Sequence, residues 1–220
     1  MVTPPSAGLL STLLCLILTT PALANPGEGG VPSWFELPPP DQSDWSDKRV
    51  RKYADVDAHD LGEPQAVIRV PSLSVAAPVY PDSRSMSLEA GAAWVTGTAS
   101  PGSDGNIAIA GHRDSFFRRL EGIPIGTQIH LTTPEGQQTF AVSSVKIVDV
   151  LDISPLDPSD APILTLITCH PFRYQGFAPD RYIIQAVLID RKETPESRPG
   201  QIDSVSVTGQ TTQNEHRTAL

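Results

Sequence analysis

The stretch ILTLITCHPFRYQGFAPDRYIIQAVLI, residues 163–189, decides the fold. Residues 163–168 form an apolar, β-branched run that stops at Cys169-His170-Pro171, and residues 181–189 form a second such run. The turn residues Ala178-Pro179-Asp180 precede the second run, so the stretch reads as two strands joined by a loop. A buried strand ending at Cys169 delivers its thiol to a rim, because the residue before a proline leaves regular structure and the chain turns there.

Outward from this pair, the same grammar repeats. Residues 66–70 and 73–79 are β-like runs split by Pro71-Ser72, residues 106–110 enter Gly111, and residues 127–132 and 138–148 flank the turn Thr133-Pro134-Glu135-Gly136. Helical turns are expected at residues 87–93 and 114–120, the second capped by Asp114 or Ser115. Strands this short and regularly spaced predict a mainly β domain, a small closed or nearly closed barrel over residues 66–190, rather than a parallel α/β sheet.

The flanks read differently. Residues 25–65 are rich in Pro, Gly and Asp (NPGEGGVPSW, ELPPPDQSDWSD) and are expected to be a linker, with Trp34, Phe35 and Trp45 as scattered aromatics and RKYADVDAHD as a short helix leading into the domain. Residues 191–220 are polar and predict a disordered tail. The first 24 residues carry an apolar run followed by Ala22-Leu23-Ala24, the pattern of an export signal cleaved after Ala24. The run is shorter than the roughly 20 apolar residues of a spanning helix, so membrane attachment is expected only if this segment stays uncleaved. Export places the mature chain in the extracytoplasmic envelope. The formal net charge of −9, with no basic cluster, excludes nucleic acid as a partner class.

Cysteine usage sharpens the picture. Cys15 lies in the export signal and leaves with it, so the mature chain keeps Cys169 alone and has no intramolecular disulfide. A lone thiol in an oxidising compartment is either buried or kept for chemistry. His112 stands in a comparable place, after NIAIAG and before the polar RDS, where Gly111 permits a bend or a close approach. Arg181 opens the last strand. Each residue taken alone has an ordinary structural reading; the order His112, Cys169, Arg181, each at a strand edge, is what carries information.

The local strings are more specific. GHRDSFFRRLEGIPIGTQIHL resembles the histidine region of class D sortases and their proteobacterial relatives, and TLITCHPFRYQGFAPDRYIIQAVL resembles the TLxTC signature and arginine strand of that family. IRVPSLSVAAPVY and AAWVTGTASPGSDGNIAIAG are similar to the same group, so the resemblance covers residues 66–189. It implies a closed sortase-type β-barrel of about eight strands with short helices in the connections. It further implies a cysteine transpeptidase that needs no cofactor, with Cys169 as nucleophile, His112 as proton-transfer partner and Arg181 at the oxyanion or on the substrate backbone. Thr168, just before the nucleophile, has two readings: a backbone or hydroxyl contact with the acyl group, and a packing role on its strand. The implied substrates are exported proteins bearing an LPXTG-like sorting motif, cleaved after threonine to a thioacyl enzyme. An amine, a pilin lysine or a peptidoglycan stem peptide, then resolves it. Specificity is expected from loop walls near residues 131–159.

The chemistry suits these residue types. A thiol is the strongest side-chain nucleophile near neutral pH, imidazole takes its proton and returns it to the leaving amine, and a guanidinium offers a permanently charged fork of donors. His170 is a rival base, but successive strand residues face opposite ways, which turns it from the thiol. The alternatives are an L,D-transpeptidase-like enzyme, whose SHGC signature contrasts with ITCHP here, a metal-binding envelope module using His112, Cys169 and His170, and a catalytically silent β-domain. The acidic residues Asp149, Asp152, Asp157 and Asp160 read as a solvated loop rather than a calcium sphere.

Overall fold

The structure, a computed structural model, describes residues 33–57, 60–174 and 176–193. Strand β1 (Ala66–Val70) and β2 (Val75–Tyr80) form a hairpin about Pro71–Leu73. Helix α2 (Ser85–Ala90) leads into the three-residue β3 (Ala92–Trp94) and then β4 (Asn106–Gly111). Strands β5 (Gln128–Thr133) and β6 (Gly136–Asp149) form a second hairpin, and β7 (Ile163–His170) and β8 (Asp180–Glu193) complete the sheet. The order β1-β2-β3-β4-β7-β8-β6-β5 closes on itself through antiparallel pairing of β1 with β5. The expected eight-stranded closed barrel is what the chain adopts.

Alternation along the strands builds the core. Ile68 and Val70, Ile107 and Ile109, Leu164 and Leu166, and Ile184 and Ala186 point inward and meet Phe117, Leu120 and Phe140. At about 25 cal/mol per Å² of apolar surface removed from water, a fully covered side chain of this size contributes roughly 2 kcal/mol. Residues 87–93 are not one helical turn: α2 stops at Ala90, and residues 92–94 extend to pair in parallel with β2 and antiparallel with β4. Residues 114–120 also depart from a capped helix, forming a turn followed by a 3₁₀ turn at Arg118–Leu120 with no side-chain cap.

The larger departure concerns the expected linker. Residues 33–57 lie against the barrel and contain α1 (Asp47–Ala54), earlier than the helix expected at RKYADVDAHD. Ser46 caps it, its Oγ accepting from the Arg49 amide at 3.3 Å. Eight residues are too few to be helical alone in water. What holds them is aromatic packing: Trp45 lies 5.0 Å from Phe116 and 5.6 Å from Tyr53, edge to face. Arg119 adds bonds to Asp41 and Asp44, and Arg69 donates to the Glu36 carbonyl. Trp45→Ala is expected to destabilise this docking by about 1–3 kcal/mol, seen as faster proteolysis within residues 33–57. The expected export signal at 1–24 and the start of the expected linker fall outside the described residues, as does the expected tail from 194 onward, whose first residues, 191–193, belong to β8. Before that limit β8 carries on to Glu193, past the expected domain end at 190. No helix among the described residues is long and apolar enough to cross a membrane.

Candidate active site

Strands β7 and β8 place the first two candidate residues. Leu164 and Leu166 on β7, and Tyr182, Ile184 and Ala186 on β8, face the core. Alternation therefore sends Cys169 and Arg181 to the outer face. They stand directly opposite each other in the antiparallel register, a placement that sets Cβ atoms about 4.5–5.5 Å apart. On the other side of β7 runs β4, parallel, with Ala110 beside Ile167. β4 ends at Gly111, and His112 is the next residue, at the end of the strand that runs beside β7. The seam is tied at this point by Thr168, whose Oγ1 donates to the Gly111 carbonyl at 2.7 Å. Cys169 and Arg181 thus stand opposite each other across β7 and β8, and His112 follows the Gly111 that Thr168 grips.

Gly111 is required by this geometry. A Cβ there would lie 2.6–2.8 Å from the Phe117 ring, so only glycine lets that ring close under the end of β4. Phe117 is fully buried, and its amide returns a hydrogen bond to the His112 carbonyl at 3.2 Å. Arg181 is also fixed: its Nη1 donates to the carbonyls of Asp180 at 3.0 Å and Ala178 at 3.3 Å, so the turn before β8 holds the guanidinium. The thiol of Cys169 is free and partly exposed.

Thr168 is buried, and its hydroxyl is spent on the Gly111 carbonyl, a packing role rather than an exposed contact. His170 turns inward as alternation predicts: its ring stacks on Tyr182 at 6.1 Å and 19° and meets Phe172 edge to face. It therefore converges with neither Cys169 nor His112, which removes the geometric basis for a shared metal site. Asp149 and Asp152 accept from the amides of Leu151 and Ser154, the ordinary work of acidic loop residues.

A sortase domain model matches residues 68–189, more than half of the chain. The chain belongs to the sortase family. Its relatives include Sortase D of Bacillus subtilis, 32% identical over 126 residues, covering 57% of this chain and 64% of that one. Sortase A of Listeria monocytogenes is 32% identical over 106 residues, covering 46% and 47%. The chain therefore spans about half to two thirds of the length of these relatives. Among solved structures, Listeria monocytogenes sortase A superposes with a TM-score of 0.55 at 26% identity, covering 61% of this chain and 93% of that one. The catalytic domain of B. anthracis SrtD gives 0.53 at 30%, covering 63% and 95%. The class D resemblance of the sequence strings fits these findings.

Two loops of this sortase flank β7 in sequence and expose apolar side chains. The loop of residues 150–162 exposes Leu151 and Ile153, at 84% and 71%, and the loop of residues 171–179 exposes Tyr174 and Phe177. Specificity walls were expected near residues 131–159, but residues 131–149 are mostly the paired strands β5 and β6, and only the end of that range is loop. The first loop is anchored by Asn106, whose Nδ2 donates to the Pro155 and Asp157 carbonyls at 2.9 Å, while Thr165 donates to its Oδ1. The second is anchored by Arg113, which donates to the Tyr174 and Gly176 carbonyls and lies 5.8 Å from the Tyr174 ring. Sequence reading missed both anchors, although Arg113 stands next to His112 in the matching string. Cavities of about 400 and 530 Å³ flank Pro38–Pro39–Pro40, but neither is lined by Cys169, His112 or Arg181.

Behind His112 sits a charge cluster of the sortase that the sequence did not reveal. Glu89 of α2 is 9% exposed at its side chain and pairs with Arg49 and, at 2.7 Å, with Lys52, both from α1. Arg49 also bonds Asp114 at 2.9 Å. His112 Nε2 lies 3.8 Å from Glu89 Oε1, and this buried nitrogen makes no hydrogen bond to any described residue. Burial pushes Glu89 up, but the bonds from Lys52 and Arg49 outweigh it and hold the carboxyl below its ordinary range. Burial, and then the Arg49 cation, push His112 below the usual imidazole value against the opposing pull of Glu89. No three His, Cys, Asp or Glu among the described residues group as metal ligands.

Proposed function

We propose that this sortase is an exported cysteine transpeptidase of the cell envelope that cleaves an LPXTG-like sorting motif and transfers the acyl group to an amine. The observation that supports the reading most is the register that sets Cys169 opposite Arg181, with His112 directly after the Gly111 whose carbonyl Thr168 binds. In the reaction, Cys169 Sγ gives its proton to His112 and attacks the carbonyl that follows the threonine side chain of the motif. The Arg181 guanidinium, held to its turn through Nη1, faces the oxygen that gains charge or the substrate backbone. The tetrahedral intermediate collapses as His112 returns the proton to the leaving amine, giving a thioester on Cys169. An incoming amine, from a pilin lysine or a peptidoglycan stem peptide, attacks the thioester carbon and gives a proton to the neutral His112; the C–S bond breaks as the amide forms, and His112 returns the proton to the Cys169 thiolate. Leu151, Ile153 and Phe177 supply apolar surface suited to the leucine and proline of such a motif. Burial and the Arg49 cation hold His112 below the usual imidazole value, which favours a neutral imidazole with a free lone pair for the thiol proton.

The test is incubation of the protein with a quenched LPXTG-like peptide and a primary amine, with both cleavage and amide product followed by mass. Cleavage with amide product is expected. Hydrolysis alone across a range of amines would remove the transferase assignment and keep the protease; no cleavage of any sorting-type peptide would remove both.

A further inference from the structure

The charge cluster against His112 extends the proposed reaction, on which this step rests. Glu89 Oε1 is a shared atom: Lys52 Nζ donates to it at 2.7 Å, and His112 Nε2 waits 3.8 Å away without a partner. We infer that the Glu89 carboxylate is the positioning counter-ion of His112 when the imidazole holds the thiol proton, and that Lys52 of α1 competes with His112 for the same oxygen. The barrel and α2 place the carboxylate; α1 decides how much of it the imidazole receives.

The charges facing His112 come from every element packed near it. Arg49 and Lys52 come from α1, Glu89 from α2, and Asp114 from the loop after His112, while Cys169 and Arg181 stand opposite each other on β7 and β8. The four neighbours nearly cancel: two cations against two carboxylates. In such a balance each member moves the imidazole in a direction set by its sign. Glu89→Gln leaves Arg49 and Lys52 against Asp114 alone, so a protonated His112 loses its nearest anion. Lys52→Gln removes a cation and at the same time frees Oε1, so the imidazolium gains. Physical damage to the site would not produce opposite signs; electrostatic positioning does.

Glu89 is buried, but Lys52 is 45% exposed at its side chain, so Lys52→Gln tests the idea with little risk to folding. In the full-length chain, the His112 imidazole resonance, assigned by its loss in His112→Gln, is titrated by NMR beside kcat and KM for the quenched peptide. Glu89→Gln is expected to lower the His112 midpoint by about one pH unit and kcat by about tenfold, the factor one such unit represents, with KM unchanged. Lys52→Gln is expected to raise the midpoint. Shifts of the same sign in the two variants, or an unmoved midpoint, would overturn the inference. If Glu89→Gln does not fold, the Lys52→Gln titration decides alone, since a midpoint that fails to rise contradicts the competition. If the wild type cleaves no sorting peptide, the reaction proposed above fails while the titration still judges Glu89.

Discussion

Cys169→Ala is expected to lower cleavage of a sorting-type peptide by roughly 10⁴–10⁶-fold, to background, without loss of the fold. Alanine fits in the space of the thiol, and the side chain is partly exposed on the outer face, so no core volume is lost. The same variant should also stop accumulation of a thioester adduct, detectable by mass on wild-type protein starved of amine. Arg181→Lys is the informative companion. It keeps the charge but removes the planar fork, and the turn carbonyls of Ala178 and Asp180 that fix the guanidinium have no second donor geometry to grip. A loss of about 10²–10³-fold is expected in kcat, with KM little changed if the arginine meets the oxyanion. A rise in KM at constant kcat would assign it to the substrate backbone instead. Retained turnover in Cys169→Ala would defeat the nucleophile assignment outright.

Gly111→Ala should give the largest effect of any change outside the three candidate residues. The new methyl would meet the Phe117 ring at 2.6–2.8 Å, and a fully buried ring has nowhere to go. Overpacking of this kind costs about 1–3 kcal/mol, which for a chain of this size lowers Tm by roughly 2–12 °C. Activity should fall further than stability does. The Gly111 carbonyl receives the Thr168 hydroxyl, and His112 follows it directly, so any relief of the clash by movement of the backbone shifts the imidazole against Cys169. Combining Gly111→Ala with Phe117→Leu is expected to restore part of the lost Tm, an interaction between touching residues that calorimetry on the four proteins of a double-mutant cycle can measure.

The sites of these two predictions were legible in the sequence to different degrees, for physical reasons. β7 and β8 announce themselves because each is a long apolar run bounded by Pro171 or Pro179, and a strand end beside a turn is where Cys169 and Arg181 belong. β3 is only Ala92–Trp94, too short for any alternation, and its conformation is imposed by Val79 and Tyr80 on one side and Ile109 to Gly111 on the other. Residues 33–57 look like a stalk because proline and aspartate dominate them; what docks them is the meeting of Trp45 and Tyr53 with Phe116, a contact no local pattern encodes. Glu89 was hidden in the same way. On α2 it resembles a solvated helix residue, and only the fold brings Arg49, Lys52 and His112 around it. Thr168, next to the nucleophile in sequence, turns to the opposite side of the sheet, and the alternation of a strand already pointed to that packing.

Closure of the barrel limits how an extended ligand could be held. Because β1 pairs with β5, every strand has two neighbours, and open strand edge is left only in stretches where a neighbour is short, as at residues 144–149 of β6, which pair with β8 alone. Main-chain pairing, which binds any sequence about equally, is thereby confined to those stretches. Discrimination falls instead on side chains and loop tips that can be exchanged without disturbing the hydrogen-bonded cylinder beneath them, so a scaffold of this kind can change its target one wall residue at a time.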